Sequence, residues 1–197
     1  LSPDDLYSRL DIETNNDFKS EDCHVSIPIW TTTAWTLPAN QAVALNAELA
    51  YVLVQTEIKG QPERLVLAEG LSSESLKRYG AENTRVLAIF EGSALHGLEM
   101  QHPFYERIVP VINGDHVTLD AGTGAVHTAP GHGQEDFVAG MQNDLPIDNP
   151  VGGDGVYLQS TELYAGQFIY KAAKNIIEQL EETGRLLHQE SFDHSFP

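Results

Sequence analysis

Cysteine is nearly absent: Cys23 is the only one in 197 residues. An internal disulfide and a multi-thiolate zinc site are thereby excluded, and a reducing, cytoplasmic setting is favoured. Basic residues are also scarce, 11 Lys and Arg against 29 Asp and Glu, for a formal charge of -18. Non-specific nucleic-acid binding depends on Lys and Arg neutralising phosphates, so an RNA partner would need its main anchor outside this chain. No apolar run approaches the length of a membrane span and no basic-then-apolar leader opens the chain, which predicts a soluble, unexported protein without membrane contact. Three catalytic or nucleotide-binding signatures are missing as well: the GK[ST] ending of a P-loop, a GxSxG elbow and an HExxH helix. At this length the chain can bury a core without staples, and one domain is expected. An opening Leu1 in place of Met and an abrupt end at Pro197 predict a fragment of a longer chain.

What is present is concentrated between Gly122 and Phe137, a span holding glycines, two histidines, a proline and two acids. Such material suits a backbone that bends tightly around a ligand better than it suits a core. Ala125 to Thr128 reads as a short strand, Ala129 to Gly133 as a tight turn and Gln134 to Met141 as a helix. Asp136 then falls in the first helical turn, where the helix dipole favours a carboxylate that can face a cationic group.

Residues 1–24 are polar and acidic and are expected to cross the surface as a connection into the domain proper, residues 25–197. Val25 to Trp30 reads as a strand, with Pro28 marking an edge or bulge. It runs into Thr31-Thr32-Thr33-Ala34-Trp35-Thr36-Leu37-Pro38-Ala39-Asn40, where three threonines at a strand end would point hydroxyls to alternate sides. Threonine also simply favours strands, which is a sufficient account of an isolated triplet. Tyr51 to Thr56 and Arg64 to Ala68 suit strands joined by a turn over Lys59 to Pro62, Leu71 to Tyr79 a helix stopped by Gly80, and Thr84 to Phe90 a strand. Gly92 to Pro103 is irregular, Ile108 to Ile112 and Val117 to Leu119 suggest a hairpin across Asn113-Gly114, and Asn149 to Gly155 is a loop. Tyr170 to Thr183 is the clearest helix, with Ala173, Ile176, Ile177 and Leu180 on one face and Gly184 as its cap; Arg185 to Ser191 could be a closing strand. The sum is a mainly β fold with peripheral helices around a β-barrel-like core.

The spacing of His127, His132 and Asp136 invites a metal reading, since imidazoles and a carboxylate close in sequence are common ligands. Against it, His127 lies on a strand while the other two lie across a turn, so no metal is expected. Nor is nucleotide binding by a GxGxxG loop, because His127 stands where its third glycine belongs. Hydrolysis without a protein nucleophile remains: an aspartate holds a substrate ammonium, hydroxyls and backbone groups hold an ester, and water attacks. Taken singly, Asp136 is better explained as a helix cap and His127 as a satisfied buried histidine.

Together, the stretch Trp30 to Asn40 and the stretch Gly122 to Phe137 resemble the paired signatures of the connective-peptide editing domain inserted in isoleucyl-tRNA synthetase. The likeness extends through Gly114 to Ala121, Asn149 to Gly152 and His194 to Pro197, leaving only the segment before Val25 weakly covered. Valyl and leucyl enzymes share the fold but carry an Arg-Pro pattern after the first threonines, whereas this chain continues Thr33-Ala34-Trp35-Thr36-Leu37-Pro38. Ala34 departs from the proline common in the family. The resemblance implies hydrolysis of valyl-tRNA(Ile), with valyl-adenylate as the second candidate substrate, inside a ligase whose synthetic part binds ATP. Asp136 would hold the α-ammonium and His127 would wall the pocket against isoleucine. Thr31, Thr32 and Thr33 would bind the ester and terminal adenosine or place water, while Trp35 and Asn40 shape the pocket. The domain itself would take no cofactor, and its partners would be the tRNA(Ile) acceptor end and the rest of the synthetase. A noncatalytic module that binds the tRNA end or an aminoacyl-adenylate is the alternative.

Overall fold

A computed structural model describes residues 2–12 and 24–191. Cys23 and the His194 to Pro197 ending lie outside these residues. In chain order the elements are α1 (Pro3–Arg9), β1 (Val25–Ser26), a 3-10 helix (Ala34–Ala39), β2 (Ala42–Leu45), β3 (Ala50–Ile58) and β4 (Gln61–Ala68). There follow α2 (Glu69–Arg78), β5 (Glu82–Glu91), a second 3-10 helix (Gly92–Leu95), β6 (Glu99–Gln101), β7 (Ile108–Asn113), β8 (Ala125–Thr128), α3 (Gln134–Gln142) and α4 (Ile169–Glu182).

Among the described residues the strands form two four-stranded sheets, ordered β1-β4-β3-β5 and β6-β7-β2-β8. The mainly β architecture with peripheral helices is as expected, but the barrel-like core is a pair of open sheets, with no closed barrel. The main core lies between them: Tyr51, Leu53 and Val66 of the first sheet meet Val43, Leu45, Val111 and Ala125 of the second. Strand alternation then gives each sheet a second buried face. Val52, Val54, Leu65 and Leu67 lie under Leu76 and Tyr79 at α2, while Ala42, Ala44 and Ile112 lie under Ala139 of α3. The helix α4 buries Ala172, Ile176 and Leu180 against Leu37 of the first 3-10 helix and the rings of Tyr105, Tyr157 and Tyr164. Ala173 and Ile177, placed on the apolar face from the sequence, are only half buried.

Several segments differ from expectation for identifiable reasons. The leading segment does not simply cross the surface: α1 buries Leu6 and Tyr7 in the main core, and the Tyr7 hydroxyl accepts a 2.6 Å hydrogen bond from the buried Arg64. Only Val25 and Ser26 pair as a strand, parallel to Arg64 and Leu65 at a sheet edge. Beyond them the Pro28 carbonyl turns away to accept from Thr123 Oγ1 at 2.7 Å. The segment after Gly92 is not wholly irregular, since it contributes the second 3-10 helix and β6. Val117 to Leu119 make no hairpin, because β7 already pairs with β6 and β2, and the Val117 carbonyl accepts from the Asn46 side chain instead. Residues 185–191 form no strand; consecutive Leu186 and Leu187 pack on different clusters, joining α4 to the outer face of the first sheet.

Candidate active site

The two sequence stretches meet at β2 and β8. Antiparallel register sets Val43 opposite His127 and Leu45 opposite Ala125, so His127 shares the inward face with the main core. The preceding turn requires its glycines: Gly122 and Gly124 have φ of 81° and 78°, and a Cβ at Gly124 would lie 2.2 Å from that of Ala68. Thr123 between them bonds to Pro28, fixing the start of the threonine stretch to the start of β8.

His127 is 8% exposed and both its ring nitrogens are occupied. Its Nδ1 lies 3.3 Å from Asn40 Nδ2 and its Nε2 lies 2.8 Å from Thr36 Oγ1. The Asn40 amide is oriented by a second bond, Nδ2 to the Ala42 carbonyl at 2.8 Å, so nitrogen, the donor, faces the ring. Nδ1 is therefore the acceptor and the proton sits on Nε2, donating to Thr36, whose own hydroxyl donates to the Thr33 carbonyl at 2.9 Å. Burial, with smaller contributions from His102 and His132, lowers the His127 pKa to about 4. The ring is a neutral, anchored block.

The threonines are arranged by a turn and not by a pleat. Thr31 Oγ1 accepts the Thr33 N–H at 3.1 Å, and Thr33 precedes the 3-10 helix, so strand preference does not explain the triplet. Ala34 is the first residue of that helix, a position at which proline fits. Thr31, Thr32, Asn40 and His127 line a cavity of about 570 Å³ to which Ile177 and Leu180 of α4 also contribute.

Asp136, Thr33 and Trp35 stand outside that lining. Asp136 lies in the first turn of α3 as expected, but it caps no helical N–H: its Oδ2 accepts from Ala129, just past β8, at 2.9 Å. Burial raises its pKa, opposed by the Ala129 hydrogen bond and by His116 and His132. This is a desolvated carboxylate whose charge is incompletely compensated. Trp35 packs edge-on against His132, with ring centroids 5.3 Å apart, and its carbonyl accepts from the Tyr157 hydroxyl. His132, expected only as a turn residue, is thus the element between the two groups, electrostatically coupled to both His127 and Asp136. Its own pKa is lowered by burial against the opposing pull of Asp148 and Asp136. Thr36, Thr123 and His132 all lie inside the two stretches read from the sequence, and only their bonding partners were missing.

His127 and His102 together predict an acid-sensitive fold. His102 Nδ1 accepts from the Phe104 and Tyr105 N–H groups, its Nε2 meets the Leu37 carbonyl at 3.1 Å, and burial lowers its pKa to about 4. A histidine depressed on folding binds fewer protons in the native state, so stability is full above the ordinary value near 6.5 and declines as pH falls toward 4. The expected loss between pH 7 and 5 is about 2 kcal/mol for each ring, with the raised carboxylate of Asp136 acting weakly in the opposite sense. Urea midpoints at the two pH values test this; equal midpoints would remove the two neutral histidines from the account.

The fold is that of an aminoacyl-tRNA synthetase editing domain. The Plasmodium falciparum cytosolic leucyl-tRNA synthetase editing domain superposes with a TM-score of 0.71 over 96% of this chain and 87% of its own, at 13% identity. The CP1 domain of GlLeuRS gives 0.69 over 96% and 91%, at 12% identity. Residues 13–171 match the family model of the leucyl-tRNA synthetase editing domain, and the chain belongs to that family. Among curated proteins it is similar to isoleucine–tRNA ligases: 60% identical over 174 residues to that of Methylococcus capsulatus and 58% over 173 to that of Nitrosococcus oceani. Each match covers 88% of this chain, which spans 18% of the relative's length.

Proposed function

We propose that this chain is the hydrolytic proofreading domain of an isoleucyl-tRNA synthetase, removing valine from valyl-tRNA(Ile), with valyl-adenylate as the second candidate substrate. The observation that carries the reading is the anchored neutral His127 beside the threonine turn, near the end of β8 from which the chain turns into α3 and Asp136. The relatives' names supply isoleucine as the amino acid to be kept. One missing methylene is worth only about 1–3 kcal/mol of discrimination, and isoleucyl-tRNA synthetase is itself the standard worked case of that limit. A second site that admits valine and refuses isoleucine completes the selection.

In this reading Asp136 holds the α-ammonium through its incompletely compensated charge, and the Thr31 to Thr33 turn offers its hydroxyls to the ester and terminal ribose. Asn40 shapes the wall directly, and Trp35 acts from behind it through its contact with His132. Water adds to the ester carbonyl carbon, the bond to the ribose oxygen breaks, and that oxygen regains a proton as valine leaves as the acid. The net charge of -18 suits a domain that receives only the acceptor end while the rest of the synthetase grips the tRNA. Comparing deacylation of valyl- and isoleucyl-tRNA(Ile) by the full-length synthetase tests the reading. Hydrolysis of the valyl ester with the isoleucyl ester spared is expected; saturable binding of the valyl ester without turnover would make the domain a noncatalytic binding module.

Hydrolysis is further expected to persist at the parental rate after exhaustive chelation. Both nitrogens of His127 are engaged within the protein, and among the described residues no group of three His, Cys, Asp or Glu is arranged to hold an ion. Activity lost with a stoichiometric metal and restored on its readdition would reverse that assignment.

A further inference from the structure

The first 3-10 helix ends at Pro38-Ala39-Asn40, where carbonyls run out of helical partners. The loop between β6 and β7 supplies them. Arg107 Nη1 donates to the Pro38 carbonyl at 3.2 Å and to the Asn40 carbonyl at 2.8 Å, and the guanidinium lies 5.2 Å from the centre of the Tyr105 ring. Among the described residues no carboxylate forms an ion pair with Arg107. From the same loop His102 reaches the Leu37 carbonyl, and its N–H bonds to the carbonyl of Arg107 at 2.8 Å, so the two side chains act from one rigid frame.

Asn40 is where this backbone clamp becomes side-chain geometry. Its carbonyl is held by Arg107, while its amide alone orients His127 from the Nδ1 side. The 3.3 Å separation there is near the limit for such a bond, so a small displacement of the Asn40 backbone breaks it. Once it breaks, Nδ1 has lost its partner and only the bond to Thr36 holds the imidazole, which can then tilt about it. We propose that Arg107 is a positioning residue for amino-acid selectivity: by holding the Asn40 carbonyl it keeps the His127 ring set against a side chain larger than valine. The inference rests on the editing function proposed above.

Two substitutions in the full-length synthetase grade the clamp. Arg107→Met keeps an aliphatic stem on Tyr105 and removes every donor, and Arg107→Lys keeps a charged donor but loses the planar guanidinium that rests on Tyr105 and sets Nη1 between the two carbonyls. The ratio of isoleucyl- to valyl-tRNA(Ile) hydrolysis is expected to rise about tenfold or more in Arg107→Met and by less in Arg107→Lys, with the valyl rate nearly kept. Adding either substitution to Asn40→Ala is expected to change that ratio no further, because the route through Asn40 is already cut. A folded variant with the parental ratio, a parallel fall of both rates, or full additivity with Asn40→Ala would each overturn the proposal. Should Arg107→Met fail to fold, Arg107→Lys decides by the same readings. A parental enzyme that hydrolyses neither ester refutes the editing function itself, and is thereby distinguished from a failure of Arg107 alone.

Discussion

Asp136→Ala in the full-length synthetase is expected to lower kcat/KM for valyl-tRNA(Ile) hydrolysis by roughly 10²–10³-fold, the loss typical when one partner of a desolvated charge pair is removed. The carboxylate is half-buried, its pKa is pushed up by burial, and a single backbone N–H, that of Ala129, satisfies its Oδ2. An arriving ammonium would supply the missing charge and draw the pKa back down, so binding is favoured at the point where the ester must be oriented. The fold should survive. What the substitution removes is one hydrogen bond to Ala129, worth about 1 kcal/mol, and no cap of α3. Asp136→Asn separates the roles, because an amide oxygen can still accept from Ala129 while the charge is gone. Stability near parental with activity as low as in the alanine variant is the expected pair of results; an asparagine variant with parental activity would reject the ammonium anchor.

The portion of the fold legible in the sequence is the portion governed by local rules. Two positive-φ residues, Lys59 and Gly60, close the β3–β4 turn, and the 3.6-residue apolar repeat with Gly184 behind it marks α4. The strand–turn–helix from Ala125 to Gln142 likewise follows from glycines and composition. Segments that depend on a distant partner were not legible. Nothing near Leu6 and Tyr7 announces that a polar stretch will dock on Arg64, and the strand-like Val117 to Leu119 is denied a ladder only because β7 has its neighbours already. The site divides in the same way. Asp136, His127, Asn40 and the threonines carry their chemistry in their residue types. Tyr157, His102 and Arg107, by contrast, act on the carbonyls of Trp35, Leu37, Pro38 and Asn40, and a carbonyl leaves no trace in a sequence. The ring contact of His132 with Trp35 joins the two stretches in space, which their pairing in sequence does not specify.

His127→Ala is expected to make the domain attack isoleucyl-tRNA(Ile), the correct product, while the valyl ester continues to be hydrolysed. Valine and isoleucine differ by one methylene, so the site can refuse the larger side chain only if something unyielding stands where the extra carbon would go. His127 meets that requirement by its bonds: Asn40 holds one nitrogen, Thr36 the other, and the ring is buried and neutral. Removing it opens space beside Thr31 and Thr32 without orphaning its neighbours, because the Thr36 hydroxyl still donates to the Thr33 carbonyl and the Asn40 amide to that of Ala42. The variant should therefore fold, with a loss of roughly 1–3 kcal/mol for the missing ring and its bonds. A general base in the same place would behave differently. Its removal would depress both esters together, by roughly 10²–10⁴-fold. Yet a base needs a free lone pair toward the attacking water; the only lone pair on this ring faces Asn40, and a pKa near 4 leaves it weakly basic. The two roles thus predict opposite signs for the isoleucyl rate, and a parallel collapse of both rates in a folded His127→Ala enzyme would refute the wall.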